Sequence, residues 1–205
     1  MTVLQPQRVE VTPKSLTGLK DTRGESIRRQ LASDHDLEIT EVRSITGYLV
    51  KGNFNETHHE KMVSDLFCDP IIEHGTVNQY ILNDTNIFPK KPDVAIQIGF
   101  KPGVTDNAAQ AGLDGLKTLF PLEAEDAEVS TTMTYIFYGL PNDVDCQWLA
   151  NQLHNPMIER AIISDQTSCE NSQWPALDFP EPPVNVFGTP TTIDLEVDDD
   201  SLIEI

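Results

Sequence analysis

Four groupings in this chain hold the residue types that chemistry needs. Cys68, Asp69, Glu73 and His74 lie close together in sequence and combine a thiol, two carboxylates and an imidazole. Such a set could hold a metal or activate a thiolate. Pro70 separates a helix end from a strand there, and strand alternation sends Glu73 and His74 to opposite faces, which speaks against a shared site. His58 and His59 are adjacent at an expected helix start. Neighbours on a helix point in different directions, so a solvated face is the better reading. Cys146 has no base nearby in sequence and reads as a small, half-buried thiol. The run Lys101-Pro102-Gly103-Val104-Thr105 leads into a helix whose first amides could meet an anion, with Thr105 and Asn107 as the contacts. A plain strand-to-helix turn explains that run better. There is no Gly-x-Ser-x-Gly elbow, phosphate loop, dinucleotide fingerprint or His-Glu-x-x-His pair. We therefore expect no catalytic residue, bound cofactor or metal in this chain.

The balance of charge narrows the partners. The 205 residues carry 14 basic and 33 acidic side chains, a net charge of −19. Nucleic acid and anionic membranes are poor partners for such a chain. Three cysteines without close spacing make neither a disulfide framework nor a zinc pattern, and fit a reducing compartment. The first residues lack a basic region followed by an apolar run, and no stretch has the length of a membrane helix. A cytoplasmic protein is expected.

The elements that position these groups come in two sets. Asp69-Pro70-Ile71-Ile72-Glu73 and Asn155-Pro156-Met157-Ile158-Glu159 share one pattern: a capping residue, Pro, two apolar residues, Glu. Met62, Val63, Leu66 and Phe67 precede the first, and Trp148, Leu149, Gln152 and Leu153 precede the second at the same spacing. Further back, Gly47-Tyr48-Leu49-Val50 lies over Thr134-Tyr135-Ile136-Phe137, and Val9-Glu10-Val11 over Val94-Ala95-Ile96. Asp21-Thr22-Arg23-Gly24 lies over Asp106-Asn107-Ala108-Ala109. Strand, helix, strand, helix and strand signals recur in the same order, which is the signature of an internal repeat.

The expected fold is therefore α+β: two β-α-β-α-β units, residues 1–82 and 93–165, joined by a polar linker over 83–92. In the first unit, strands are expected over Arg8–Thr12 and Ile39–Val50, and an extended segment over Ile71–Ile81. Helices fall from about Arg23 to Ala32, with Ile27 and Leu31 inward, and from Asn53 or Asn55 to Phe67. The second unit has strands over Val94–Phe100, Ala127–Tyr138 and Met157–Ser164. Its helices place Leu113, Leu116 and Phe120, then Trp148, inward. One unit alone has too little core, and a fused pair is the covalent form of a homodimer.

From 166 to 205 the chain turns acidic and Pro-rich, with Pro175, Pro180, Pro182, Pro183 and Pro190. From Gln166 onward there are nine acidic residues and no Lys or Arg. This reads as an extended strap. Trp174, Phe179, Val186 and Phe187 are too apolar for a free tail and mark a docking surface for a partner. Asp198 to Ile205 looks like a helix start.

Val9-Glu10-Val11, Lys20 to Ile27, Val42 to Leu49 and Leu66 to Glu73 resemble the PurS-type small subunit of phosphoribosylformylglycinamidine synthase. That family shows a strand, an Asp-x-x-Gly helix start, a Val-Arg strand and a closing Asn/Asp-Pro-Val-Ile-Glu. The tandem arrangement, over roughly residues 8 to 165, looks like the PurS-like N-terminal domain of the large forms of that synthase. The family's Asp-Pro-x-Gly is Asp21-Thr22-Arg23-Gly24 here, and the second copy loses both Pro and Gly. The resemblance implies an accessory role in de novo purine synthesis, in which formylglycinamide ribonucleotide, ATP and glutamine give the amidine. It also implies PurL-type synthetase and PurQ-type glutaminase partners, with ATP and Mg bound by the synthetase. A free-standing ferredoxin-like or ACT-like pair binding a small regulatory molecule is the alternative.

Overall fold

A computed structural model describes residues 6–15 and 20–181. The strands are β1 (Gln7–Pro13), β2 (Glu41–Lys51), β3 (Glu73–Val77), β4 (Val94–Phe100), β5 (Glu128–Tyr138) and β6 (Glu159–Ser164). The helices are α1 (Thr22–His35), α2 (Glu56–Lys61), α3 (Asn107–Leu119), α4 (Cys146–Leu153) and α5 (Gln166–Glu170). The fold is α+β, and all six strands form one antiparallel sheet in the order β3-β1-β2-β5-β4-β6. The long central strands meet side by side, Glu41 opposite Tyr138 and Lys51 opposite Glu128.

Alternation along the strands gives the sheet two different faces. Val9, Val11, Val42, Val50, Val94, Ile96 and Phe137 point to the helices. Two cores form there, and each draws on both repeats of the β-α-β-α-β order. In one, Met62 and Phe67 meet Leu116 and Phe120. In the other, Leu31 and Ile39 meet Leu149 and Ala150. Trp148 is half-buried rather than fully inward, its ring edge-on to His35 at 5.1 Å.

Helix starts follow from local chemistry. Asp21 caps α1, accepting the amide of Gly24 at 2.9 Å, and also takes the hydroxyl of Ser44 on β2. One carboxylate thus ties a helix start to a strand. Gly24 is needed for that close approach: a Cβ there would lie 2.0 Å from the carbonyl oxygen of Val42. Asp106 caps α3 in the same way, through Ala109 and Thr131.

Four further expectations change. The helix expected up to Phe67 is regular only over α2, capped by Asn55, and continues as a wider π-type turn over Met62–Phe67. The extended segment expected over Ile71–Ile81 is strand only over β3, because Asn78 takes a left-handed conformation (φ 56) and bonds back to Arg8. The polar linker over 83–92 covers the sheet: its Phe88 is buried and, with Ile81 and Leu82 just before it and Ile45 and Ile136 on the strands, forms a third core on the face away from the helices. Finally, Gln166–Glu170 is helical rather than extended, capped by Asp165 and anchored by the buried Cys169. Asp198 to Ile205 lies outside the described residues.

Candidate functional site

The reactive side chains are dispersed. Cys68 is buried, and burial pushes its thiol up. Glu73 takes the backbone amide of Asp69 at 2.8 Å. Glu73 faces Tyr48 on the helix side, whereas His74 feels Asp84 and Arg43 on the other face. The sheet itself therefore divides that set. Cys146 opens α4, and burial of Cys169, within the strap's first helical turn, pushes its thiol up to about 11. No three His, Cys, Asp or Glu side chains converge among the described residues.

His58 and His59 are not a solvated pair. His58 accepts the amide of Asn55 and sits beside Phe120, ring centroids 4.9 Å apart. The Nε2 of His59 is buried, with no hydrogen-bond partner among the described residues, and burial pulls its basicity down. The short α2 sets the His58 ring against Phe54 and Phe120, which its sequence alone did not reveal.

Thr105 and Asn107 flank Asp106, and both are exposed. The carboxylate of Asp106 already accepts Ala109 N and Thr131 N, each at 2.8 Å. A second anion at this helix start would face that negative charge, so the geometry favours the capped turn over an anion site.

The face away from the helices is polar yet covered. Glu10, Thr12, Arg43, Gln97, Ser130, Thr132 and Thr134 are all buried there. Arg43 donates to the carbonyls of Ile87 and Pro13 and lies over the ring of Phe88. Glu10 accepts the amide of Ile81 at 2.8 Å, and burial raises its carboxyl above the usual range. Sequence reasoning did not single out these residues. A lone Gln97 in the apolar strand Val94–Phe100, and Glu10 between two valines, were the available signals.

The strap covers this face from within the chain. Trp174 donates to Asn83 at 2.7 Å and packs on the third core. Leu177 gives its amide to Gln97 and its carbonyl to Arg8. Lys51 lies over the ring of Phe179 and pairs with Glu181. Trp174 and Phe179, expected to meet a partner, make these contacts within the chain. Val186 and Phe187 lie outside the described residues.

Two groups of features remain that could serve a function. One is a cleft of about 340 Å³ beside the start of α1, lined by Lys20, Arg23, Tyr48, Phe67, Ile72 and Glu73. Arg23 donates to the hydroxyl of Thr46 at 2.8 Å. The second is the pair of Pro-containing corners. At the first, Asp69 accepts the amide of Ile71, and the carboxylate of Glu73 reaches back to the amide of Asp69. At the second, Asn155 accepts the amide of Met157, and Glu159 reaches back to the amide of Asn155. The backbone of Lys14 bonds Ile72 O at 2.8 Å, and that of Lys101 bonds Ile158 O at 2.9 Å. Their ammonium groups take the carbonyls of Pro70 and Pro156. These bonds hold both corners in one shape. They explain the Asp or Asn, the Glu and the Lys, and leave Ile71, Ile72, Met157 and Ile158 exposed.

No family model, curated protein or solved structure matches the chain. No described helix is long and apolar enough to cross a membrane.

Proposed function

We propose that this chain is a non-catalytic, bridging part of a phosphoribosylformylglycinamidine synthase, built from two PurS-like units fused as a pseudo-dimer. The observation that carries this reading is the matched bonding at Asp69–Glu73 and Asn155–Glu159, the closing motif on which the family resemblance rests. The paired caps of Asp21 and Asp106 and the strand order support the same duplication. Glutamine hydrolysis and ATP-dependent amidine formation would belong to the glutaminase and synthetase partners, with ATP and Mg on the synthetase. The test is to purify the chain with PurL-type and PurQ-type chains and assay amidine formation. Failure of the chain to co-purify with either, or full activity without it, would overturn the reading.

A second reading is a regulatory pair that binds a small molecule. The cleft beside Arg23 and Tyr48 favours it. Saturable binding of a metabolite in the absence of any partner would select this reading.

A further inference from the structure

The cleft beside the start of α1 brings charges of both signs to an apolar surface. Lys20 and Arg23, both exposed, contribute two cations, and Asp21 and Glu73 two carboxylates. Tyr48, Phe67 and Ile72 contribute the apolar part. The carboxylates differ in what is left to them. Asp21 serves the fold, accepting the amides of Gly24 and Ser44 and the hydroxyl of Ser44. Glu73 gives one oxygen to the amide of Asp69, and a carboxylate can accept further donors. Arg23 uses one N–H group on Thr46, and a guanidinium carries several. Burial raises the phenol of Tyr48, the charge of Glu73 adds to that rise, and the charge of Arg23 opposes it. Anion, cation and ring therefore act on one space.

The fold does not account for the two cations. The capping Asp, the Tyr and the Glu recur at the matched positions Asp106, Tyr135 and Glu159. Asp106 and Glu159 also repeat the bonds of their counterparts. Yet Thr105 and Ala108 stand where the first half has Lys20 and Arg23. A helix start of this kind thus forms without either cation. The first half also sets Phe67 against Tyr48, ring centroids 4.3 Å apart, where the second has Leu153. The cations and the aromatic pair are what is particular to this cleft.

We infer that the cleft binds a free α-amino acid with an apolar side chain. Its carboxylate meets Lys20 and Arg23, its ammonium meets Glu73, and its side chain lies on Tyr48, Phe67 and Ile72. A simple anion would set its charge beside Glu73, and a simple cation beside Lys20 and Arg23. A zwitterion satisfies both with charge-assisted hydrogen bonds. The side chain would cover Ile72, an isoleucine that is otherwise 40% exposed. The volume of about 340 Å³ lies low in the range of roughly 300–1,000 Å³ for ligand pockets, which suits a ligand of this size better than a dinucleotide. This names the ligand class for the second reading above and rests on that reading.

The experiment titrates the full chain by calorimetry with L-leucine and L-phenylalanine. Each is compared with its N-acetyl form, which has no ammonium, and its amide, which has no carboxylate. The oxo acid of leucine, with the same side chain and carboxylate, is a further probe. Lys20→Gln and Arg23→Gln test the cleft, and Arg29→Gln, on the same helix but outside the lining, is the control. Thermal melts show that each variant is folded. At least one of the two amino acids should bind, and its blocked forms should bind about tenfold more weakly or worse. Lys20→Gln and Arg23→Gln should each weaken binding by about tenfold, and Arg29→Gln should leave it unchanged. An N-acetyl form or the oxo acid binding as tightly as the amino acid would overturn the inference and leave the second reading standing. Binding that survives the combined Lys20→Gln and Arg23→Gln substitutions would place the ligand elsewhere and overturn the inference. Binding by none of the probes would overturn it and remove the cleft as support for the second reading.

Discussion

Gln97 accepts the backbone amide of Leu177, a residue of the strap, at 2.7 Å, and both residues are buried. The same Gln97 donates to Thr134 at 3.0 Å. One amide side chain on β4 therefore ties a segment rich in proline to Thr134 on the central strand β5. Gln97→Ala leaves the amide of Leu177 and the hydroxyl of Thr134 without that partner. We expect a loss of about 1–3 kcal/mol, the cost of unsatisfied buried polar groups. Hydrogen exchange should quicken at Leu177 before it does in the central strands. Unchanged protection at Leu177 would contradict this.

Gly24→Ala places a methyl group against the carbonyl of Val42, 2.0 Å away in the present backbone. The helix start must shift, and overpacking of this kind costs about 1–3 kcal/mol. Ala109, the residue at the same place on α3, already carries its Cβ while buried. Ala109→Gly should therefore cost less, near the glycine penalty of about 1 kcal/mol or below. Equal melting shifts for the two variants would refute the difference in helix approach.

Phe67→Ala opens a hole in the core shared with Leu116 and Phe120, where Phe67 lies against Tyr48 at 4.3 Å. The expected loss is about 3–5 kcal/mol. Trp148→Ala should cost less, because that ring is only half-buried. Denaturant melts of the two variants measure the order.

Glu10 gives a pH signature. Burial raises its folded carboxyl above the ordinary value of 4.5, outweighing the amide of Ile81 and the charge of Arg8. The folded state then holds this proton longer than the unfolded state. Its contribution to stability is lost as pH rises from the ordinary value through the raised one. Below the ordinary value both states are protonated, and the penalty vanishes. Glu10→Gln should flatten this component, so the stability difference between the variant and the parent should change in the variant's favour as pH rises across that window. A difference constant with pH would refute the assignment.

All three thiols should resist modification in the folded chain. Burial pushes Cys68, Cys146 and Cys169 upward, Cys169 to about 11. Thiolate is the reacting form. Labelling with a disulfide reagent at neutral pH should be slow before unfolding and rapid after it. Fast labelling of Cys169 in the native state would show that the strap opens.

Much of the helix-facing half of the molecule was legible in the sequence. The strand expected over Ile39–Val50 contains most of β2, and the helix expected from about Arg23 begins within a residue of α1. The other face was hidden for a physical reason. Its residues, Glu10, Arg43, Gln97 and Thr132, are polar, and polar strand positions read as solvent-facing unless something covers them. What covers them is a linker and a Pro-rich strap, neither of which has a period to detect. The exposed apolar corners were legible as motif but not as surface, since only packing shows which apolar residues stay outside.

The sharing of each core between early and late segments bears on how the chain could be divided. Met62 and Phe67 need Leu116 and Phe120 to cover them, and Leu31 needs Leu149. A chain cut between Asn83 and Pro92 would yield two pieces, each carrying half of both cores. Neither piece would hold a closed interior alone. Mixed together, they should find each other and rebuild the sheet across β2 and β5, so that the two pieces behave as obligate partners.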